Sequence, residues 1–244
     1  MAIKKRNLFK PGETLKLSRS GVELFMNCQK CFYLERKLNV KALSGFPFNL
    51  NSAVDELLKN EFDGYREQKK PHPYMKDIDK NLIPFQHEDL DKWRANFTGV
   101  QFHHEETDLL LTGAVDDVWI DLDTEELVVV DYKSTSSKDE VNLDKDWQIS
   151  YKRQMEFYQW LLRQNGFKVS NDGYFVYCNG IKNKESFDEV LEFRVKVLHY
   201  EGNDSWVEPT ILEIKEIINN DKTPDADEEC DTCSYVGTRF QLEL

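Results

Sequence analysis

Two aspartates and a lysine interrupt an otherwise apolar part of the sequence. Asp116 closes one apolar segment, and Asp131 and Lys133 close the next one, which begins at residue 127. Both segments are typical of β-strands, because aliphatic and β-branched residues crowd together without helical spacing, and the link 122–125 is short enough only for a hairpin. A hairpin that closes symmetrically within this link would set Asp116 opposite Asp131.

Such a pairing gathers charge on one patch of the sheet. Side chains alternate along a strand, so Asp131 and Lys133 share a face while Tyr132 points away from it. Two carboxylates that face each other on a sheet repel by roughly 0.2–1 kcal/mol in water, and by more when they are desolvated. These charges therefore need neutralisation by a bound group.

A divalent metal is the candidate that best matches these side chains. Magnesium and manganese both prefer oxygen ligands, and a rigid hairpin end leaves coordination positions open for water and substrate. Lys133 would then supply charge to a bound anion or to an attacking water. The simpler alternative is an ion pair of Asp131 with Lys133 at the protein surface, with Asp116 belonging to the turn.

Helical periodicity appears on both sides of this hairpin. Residues 18–38 carry an apolar stripe, and residues 52–66 carry a second one formed by Ala53, Val54, Leu57, Leu58 and Phe62. Asp55 then lies near one edge of the second stripe. Residues 147–162 form a third helix, in which Gln154 and Tyr158 lie four residues apart and therefore on one face.

The remaining pattern predicts an α/β fold. Strands are expected at 99–106, 109–120 and 126–133, where they form an antiparallel meander, and again at 174–178 and 191–198. A helix is expected at 206–218 and irregular chain at 69–84. The run 127–130 lacks alternation, which indicates a central strand covered on both faces. The sequence therefore predicts a three-layer α/β/α sandwich around a mixed central sheet, in a single domain spanning residues 1–244.

Charge and hydropathy limit the location and the partners of the chain. The net charge is −13 and the pI is about 4.9, which argues against attraction of the whole surface to nucleic acid but allows a local groove. The apolar runs are too short for a membrane span, and none follows the basic residues 1–6 as it would in a secretory signal. We therefore expect a cytoplasmic protein without membrane contact.

Four of the five cysteines form two Cys-x-x-Cys pairs, Cys28 with Cys31 and Cys230 with Cys233. In a reducing cytosol such pairs favour a metal or an iron–sulfur cluster over disulfides. Four thiolates suit either tetrahedral zinc or a [4Fe-4S] cluster, which would join the N-terminal helix, about 18–38, to the C-terminal tail, about 221–244. Ordinary burial in the core is the alternative, and it is what we expect for Cys178.

The ordered motifs of the chain resemble those of the PD-(D/E)xK nuclease superfamily, specifically its RecB-like branch, which includes the CRISPR-associated, iron–sulfur-bearing exonucleases. The matching segments are Asn27-Cys28-Gln29-Lys30-Cys31-Phe32-Tyr33-Leu34, Gly113-Ala114-Val115-Asp116, Asp131-Tyr132-Lys133, Gln154-Met155-Glu156-Phe157-Tyr158 and Cys230-Asp231-Thr232-Cys233-Ser234-Tyr235. They are similar to the family's Cys-Pro-x-x-Phe-Tyr-Leu, Gly-x-x-Asp, (D/E)-x-Lys, Gln-x-x-x-Tyr and terminal cysteine motifs. Their agreement in order over most of the chain is more specific than any single motif.

The resemblance implies metal-dependent hydrolysis of phosphodiester bonds on a restriction-endonuclease-like fold. It implies that Asp116 and Asp131 ligate one or two magnesium ions, with the carbonyl of Tyr132 completing the shell. Lys133 would orient the water and stabilise charge on the phosphate. The helix pair, Gln154 and Tyr158, would hold the water network or the DNA backbone.

The chain departs from the family pattern at two places. The upstream helix offers Asp55 where the family usually has a histidine; an aspartate can ligate magnesium as well, and a solvated helix acid is the alternative. Arg239 occupies the position of a third C-terminal cysteine of the cluster-bearing relatives. Cys31 could then supply the fourth ligand, which leaves the choice between iron and zinc open.

These observations predict a magnesium-dependent nuclease that acts on DNA in repair, recombination or defence. A helicase or another repair or defence protein is an expected partner, because the chain carries no helicase segment of its own. The main alternative is a non-catalytic member of the fold that binds nucleic acid or protein, which the acidic composition favours. A metal-free pair of acids, as in glycosidases, is disfavoured by the lysine beside both carboxylates.

Overall fold

The computed structural model describes residues 13–42 and 49–242, which divide into two compact units. Within these ranges the first unit consists of the two ends of the chain, up to residue 42 and from 205, together with residues 102–112. The second unit consists of residues 49–101 and 113–204. In chain order the elements are β1 (Leu15–Ser18), α1 (Arg19–Asn27), α2 (Gln29–Arg36), α3 (Asn49–Glu67), β2 (Leu82–Pro84), α4 (Leu90–Arg94), β3 (Val100–His104), β4 (Leu109–Gly113), β5 (Asp117–Asp121), β6 (Glu126–Thr135), α5 (Ile149–Gln164), β7 (Val169–Gly180), β8 (Phe193–Glu201), α6 (Val207–Asn219) and α7 (Asp231–Leu242).

A five-stranded mixed sheet forms the centre of the second unit. Its strand order is β2-β5-β6-β7-β8, in which β6 and β7 are parallel and the other neighbours are antiparallel. Strand β6 is buried from Leu127 to Tyr132. The prediction of a central strand without alternation is therefore confirmed.

Helices α3 and α5 cover opposite faces of this sheet. Leu58 and Phe62 of α3 share a core cluster with Val128, Val130 and Tyr132 of β6. The alternate residues of β6 point to α5, where the Tyr151 ring lies 4.6 Å from Lys133 Nζ. The predicted three-layer α/β/α sandwich around a mixed sheet is confirmed.

The first unit is built around a smaller sheet. Its strand order is β1-β4-β3, with β1 parallel to β4. Helix α6 packs against α1 and α2, and the Gln29 amide of α2 donates a hydrogen bond to Glu213 of α6 at 2.6 Å. Helix α7 follows at the end of the chain, within the predicted C-terminal tail.

The hairpin register agrees with the sequence prediction. Asp117 pairs with Val130 and Asp121 pairs with Glu126, so the same register extended by one residue sets Asp116 opposite Asp131. The four-residue link closes with a hydrogen bond of 2.8 Å from the Glu125 N–H to the Asp121 carbonyl. Asp116 itself lies one residue before β5 begins.

Two predicted elements are interrupted. The helix expected at 18–38 is wrong as a single helix, because Cys28 adopts an extended conformation between α1 and α2. The strand expected at 109–120 is also wrong, because β4 and β5 belong to different sheets. The meander is consequently shorter than predicted, and part of the segment 69–84, expected to be irregular, forms the edge strand β2.

The buried stripe of α3 is narrower than predicted. Leu58 and Phe62 are buried as expected, but Ala53 is exposed and Leu57 is 68% exposed. Arg66 takes the next buried position on the stripe, where it forms an ion pair with the fully buried Asp117. The helix therefore buries a cation at a position that an apolar pattern cannot indicate.

None of the helices in the described part of the chain combines the length and the apolarity that a bilayer crossing requires.

Candidate functional site

The acid and the lysine of the hairpin meet at the end of β6. Asp131 has no exposed surface, and the Lys133 ammonium forms an ion pair with its Oδ2. The other carboxylate oxygen, Oδ1, is buried and accepts no hydrogen bond from any described residue. A buried carboxylate oxygen without a partner costs free energy, which a cation ligated there would remove.

Asp116 lies beside this pair. Its Oδ2 accepts a hydrogen bond from the Tyr132 backbone N–H at 2.9 Å. Burial, together with the negative charge of Asp131, raises the pKa of Asp116 to about 7. The structure therefore brings the two predicted carboxylates together, and their repulsion is the one expected for like charges that share a desolvated site.

Helix α3 contributes a third acid to this site. Burial, followed by the charge of Asp116, raises the pKa of Asp55, while the Lys133 ammonium lowers it. The Asp55 carboxylate is therefore within electrostatic range of both groups of the hairpin. Its Oδ2 also accepts a hydrogen bond of 2.7 Å from Lys59 Nζ, one helical turn further along α3.

Lys59 is a cation that the sequence analysis missed. Its charge acts on Asp116 as well as on Asp55 and lowers the pKa of both acids. The available signal was the spacing of four residues from Asp55, which sets an acid and a base on one helix face. Lys59 thus pairs with Asp55, and Lys133 pairs with Asp131.

Helix α5 brings its two motif residues to Lys133. Gln154 Oε1 lies 3.4 Å from Lys133 Nζ and accepts its hydrogen bond, while Gln154 Nε2 donates to the Tyr158 hydroxyl at 3.1 Å. Tyr158 packs tightly against Gly113, since a Cβ added to that glycine would lie 2.6 Å from the tyrosine ring. The glycine of the Gly-x-x-Asp motif therefore makes room for the tyrosine of the helix motif.

Tyr151 is a second neighbour that the sequence analysis missed. Lys133 Nζ lies 4.6 Å from the centre of its ring, a distance at which the ring attracts a cation. Tyr151 stands three residues before Gln154 and so shares its helix face. Lys133 is held by a carboxylate, an amide and an aromatic ring at once.

The side chain and the backbone of Tyr132 have different roles in β6. Its side chain is buried in the core on the α3 side, and its hydroxyl donates to Asp117 Oδ2 at 2.8 Å. Burial, followed by the charge of Asp117, raises the pKa of Tyr132 well above its usual value. The side chain is structural, and the predicted role of the Tyr132 carbonyl as a metal ligand stays a prediction.

The residues of this site fit a divalent metal ion. Asp116 and Asp131 offer carboxylate oxygens side by side, one of which lacks a partner among the described residues. Oxygen ligands of this kind suit magnesium or manganese. The charges of Asp116 and Lys133 both act on the pKa of Asp55, which makes Asp55 a candidate for a further ligand.

The four predicted cysteine ligands converge in the first unit. Their sulfur atoms all lie within 4.8 Å of one another; the distances are 3.5 Å from Cys31 to Cys233, 3.6 Å from Cys31 to Cys230 and 3.9 Å from Cys28 to Cys233. Cys28 precedes α2 and Cys230 precedes α7, so each pair occupies the start of a helix. This group could bind a metal ion.

The surroundings of the cysteines favour at least one thiolate. Burial by itself would raise the pKa of Cys28, but backbone hydrogen bonds from Asp227 and Cys31, together with hydrogen bonds from the thiols of Cys230 and Cys31, outweigh it and lower the pKa to about 7. Burial and the neighbouring thiols raise the pKa of Cys233 to about 11. Neighbouring thiols disfavour ionisation of one another, and a bound metal ion would stabilise several of them as thiolates at once. Cys178 is buried in the core cluster of the second unit, as predicted.

Comparison with known proteins identifies the family to which the chain belongs. Among solved structures, one titled "Crystal structure of SSO0001" is 13% identical, with a TM-score of 0.39 over 93% of this chain and 87% of the other. The comparison with curated proteins gave no match. A sequence model described as the PD-(D/E)XK nuclease superfamily matches residues 16–238, which include the hairpin acids, the helix motif and all four cysteines. Since that match extends over nearly the whole chain, the protein belongs to the PD-(D/E)XK nuclease superfamily.

Proposed function

We propose that this protein is a magnesium-dependent nuclease that hydrolyses phosphodiester bonds of DNA. The observation that carries the proposal is the convergence of Asp116, Asp131 and Lys133 at one hairpin end with Gln154 of α5. Superfamily membership supports the class of reaction. The spacing and order of the motifs further support the RecB-like branch. A role in repair, recombination or defence, with a helicase or another protein of these pathways as a partner, is part of the same proposal.

Asp116 and Asp131 would hold magnesium or manganese, with Asp55 and the Tyr132 carbonyl as further ligands. When bound, the metal would polarise the phosphate and lower the pKa of a water molecule. Lys133 would stabilise negative charge that develops on the phosphate, because its ammonium is largely buried and held in place by three neighbours. Gln154 and Tyr158 would keep that ammonium oriented.

The cysteine geometry supports a single zinc ion rather than an iron–sulfur cluster. A tetrahedral zinc with bonds of about 2.3 Å sets its sulfur ligands about 3.8 Å apart. The observed distances of 3.5, 3.6 and 3.9 Å agree with that spacing. A [4Fe-4S] cluster binds each cysteine to a different iron, which requires wider spacing. We infer a structural zinc that joins α2 to the start of α7.

The test of the nuclease uses the purified full chain with single-stranded and duplex DNA and RNA, in magnesium, manganese or chelator. Asp131→Ala and Lys133→Ala are expected to abolish hydrolysis while circular dichroism stays unchanged. Lys76→Ala, at an exposed position outside the site, is the matched control and should keep full activity. Retained hydrolysis in either site variant would refute this assignment of residues.

The second candidate is a non-catalytic member of the fold that binds nucleic acid or protein. A net charge of −13 favours it, because free nucleases commonly present positive potential around the groove. Tight binding in chelator, with no hydrolysis of any DNA or RNA form in either metal, would decide for this candidate.

The metal content of the cysteine group is measured on the same preparation. Anaerobic purification followed by absorbance and elemental analysis distinguishes the two metals. A colourless protein with one equivalent of zinc is expected. Absorbance at about 400 nm together with bound iron would instead indicate an iron–sulfur cluster.

A further inference from the structure

An exposed tryptophan lies next to the aromatic neighbour of Lys133. Trp147 is 54% exposed, and its ring stands edge-on to Tyr151 at a centroid distance of 5.3 Å. Tyr151 in turn lies under the Lys133 ammonium. A large aromatic face that stays open beside a charged site is a surface on which a nucleobase can stack.

A basic cleft follows along the same unit. Its volume is about 340 Å³, and Lys138, Lys182 and Arg194 line it together with Asn179. The described residues that line it include no carboxylate, although the chain as a whole carries a net charge of −13. Three cations around one cleft in an acidic protein indicate a site for a polyanion.

The loop that forms one wall of this cleft is held rigidly. The Ser137 N–H donates to Asn179 Oδ1 at 2.8 Å, and Asn179 Nδ2 donates back to the Ser137 carbonyl at 3.2 Å. Lys182 Nζ donates to the Ser136 carbonyl. Groups fixed before binding lose little conformational entropy when a ligand arrives.

Ser137 connects the basic cleft to the tryptophan. It also lines a smaller cleft of about 40 Å³, together with Thr135, Glu140 and Trp147. Thr135 ends β6, two residues beyond Lys133. Glu140 is the one carboxylate among the described residues of that smaller cleft, and Lys196 pairs with it at 2.7 Å.

We propose that Trp147, Ser137, Lys138, Lys182 and Arg194 form a track that binds a single nucleic-acid strand leading to Lys133. The cations of the cleft contact backbone phosphates, and an unpaired base stacks on Trp147. Because a duplex hides the faces of its bases, the stacking half of the track recognises single strands. The inference rests on the proposed function in taking nucleic acid as the ligand.

Binding of a short fluorescein-labelled oligodeoxythymidylate in chelator tests the track without cleavage. Trp147→Ala should weaken binding about tenfold, or ~1.4 kcal/mol, and leave its salt dependence unchanged. The double variant Lys138→Ala with Arg194→Ala should reduce the slope of log K against log salt by about 1.4, since each phosphate contact contributes about 0.7 on a single strand. Trp147→Phe should restore most of the affinity.

The controls are Phe97→Ala, which removes an aromatic ring that is 92% exposed, and Lys76→Ala. Both should bind like the wild type, and a blunt duplex should be insensitive to Trp147→Ala. Equal affinity of Trp147→Ala and Phe97→Ala, or an unchanged slope in the double variant, would overturn the track. Hydrolysis by the wild type in magnesium is measured separately. If the variants bind as expected but the wild type does not hydrolyse the strand, the nuclease is refuted and the track is still supported.

Discussion

Replacing Asp116 by asparagine should stabilise the metal-free protein at about pH 8. Asp116 is buried next to Asp131, and its pKa is raised from 3.8 to about 7. Each unit of such a shift corresponds to about 1.36 kcal/mol, so the ionised Asp116 destabilises the folded state by about 4 kcal/mol. Asparagine removes the charge and keeps an oxygen that can accept the Tyr132 N–H hydrogen bond.

The size of this effect depends on pH. Because the pKa of Asp116 is higher in the folded state than in the unfolded chain, there is no penalty below about pH 4, where both states bind the proton. The penalty grows as the pH rises from about 4 to about 7, the range in which the unfolded chain has lost the proton and the folded protein still binds it, and it is complete above about 7. The wild type should therefore lose stability between about pH 4 and pH 8, and Asp116→Asn should lose about 4 kcal/mol less over that range.

Urea titrations in chelator, followed by tryptophan fluorescence, measure the free energy of unfolding of both proteins at several pH values. Asp77→Asn, which removes an exposed carboxyl group, is the matched control and should not differ from the wild type. Magnesium should stabilise the wild type at about pH 8 and stabilise Asp116→Asn much less. A variant that is no more stable than the wild type at about pH 8, or equally stabilised at about pH 4, would refute this reasoning.

Four further substitutions test the packing, the buried ion pairs and the cysteine group. Phe62→Ala should lower the free energy of unfolding by about 3–5 kcal/mol, because its ring is fully buried, whereas Leu57→Ala on the exposed side of α3 should change it by less than about 0.5 kcal/mol; urea titrations compare them. Asp117→Ala leaves the two buried guanidinium groups of Arg66 and Arg94 with only the partly exposed Asp63 as a shared partner and should cost about 1.5–3 kcal/mol by the same measurement. Cys230→Ser removes one of the four thiols of the group that could bind a metal; with the proposed zinc, elemental analysis should find metal content near zero, and chelator should destabilise only the wild type.

The sequence predicted the local geometry of the hairpin because that geometry depends on short-range rules. The short link and the apolar segments determine the register, and alternation of side chains determines which face Asp131 and Lys133 share. The observed pairing of Asp117 with Val130 agrees with this. The motif residues Gln154 and Tyr158 were likewise predictable, since helical spacing sets them on one face of α5.

The errors arose where tertiary contacts override local pattern. The break at Cys28 starts a new helix beside the other three thiols, and helix propensity carries no information about that contact. The sequence pattern places Arg66 at the polar end of an apolar stripe, which predicts an exposed side chain. Arg66 is nevertheless buried, because it forms an ion pair with Asp117 at the start of β5. Lys59 and Tyr151 were not predicted for a similar reason, because only their contacts in the folded protein, with Asp55 and Lys133 respectively, indicate their roles.

The alternation of β6 also explains how the fold tolerates its clustered carboxylates. Asp131 and Lys133 face α5, whereas Tyr132 between them is buried against α3 and donates to Asp117. Asp117 is in turn paired with two buried arginines, from α3 and α4. The strand that carries Asp131 is thus fixed from its opposite face by charge-assisted hydrogen bonds, which are about twice as strong as neutral ones. The middle residue of Asp131-Tyr132-Lys133 is for this reason a structural part of the motif, and the fold holds Asp116 beside Asp131 despite their repulsion.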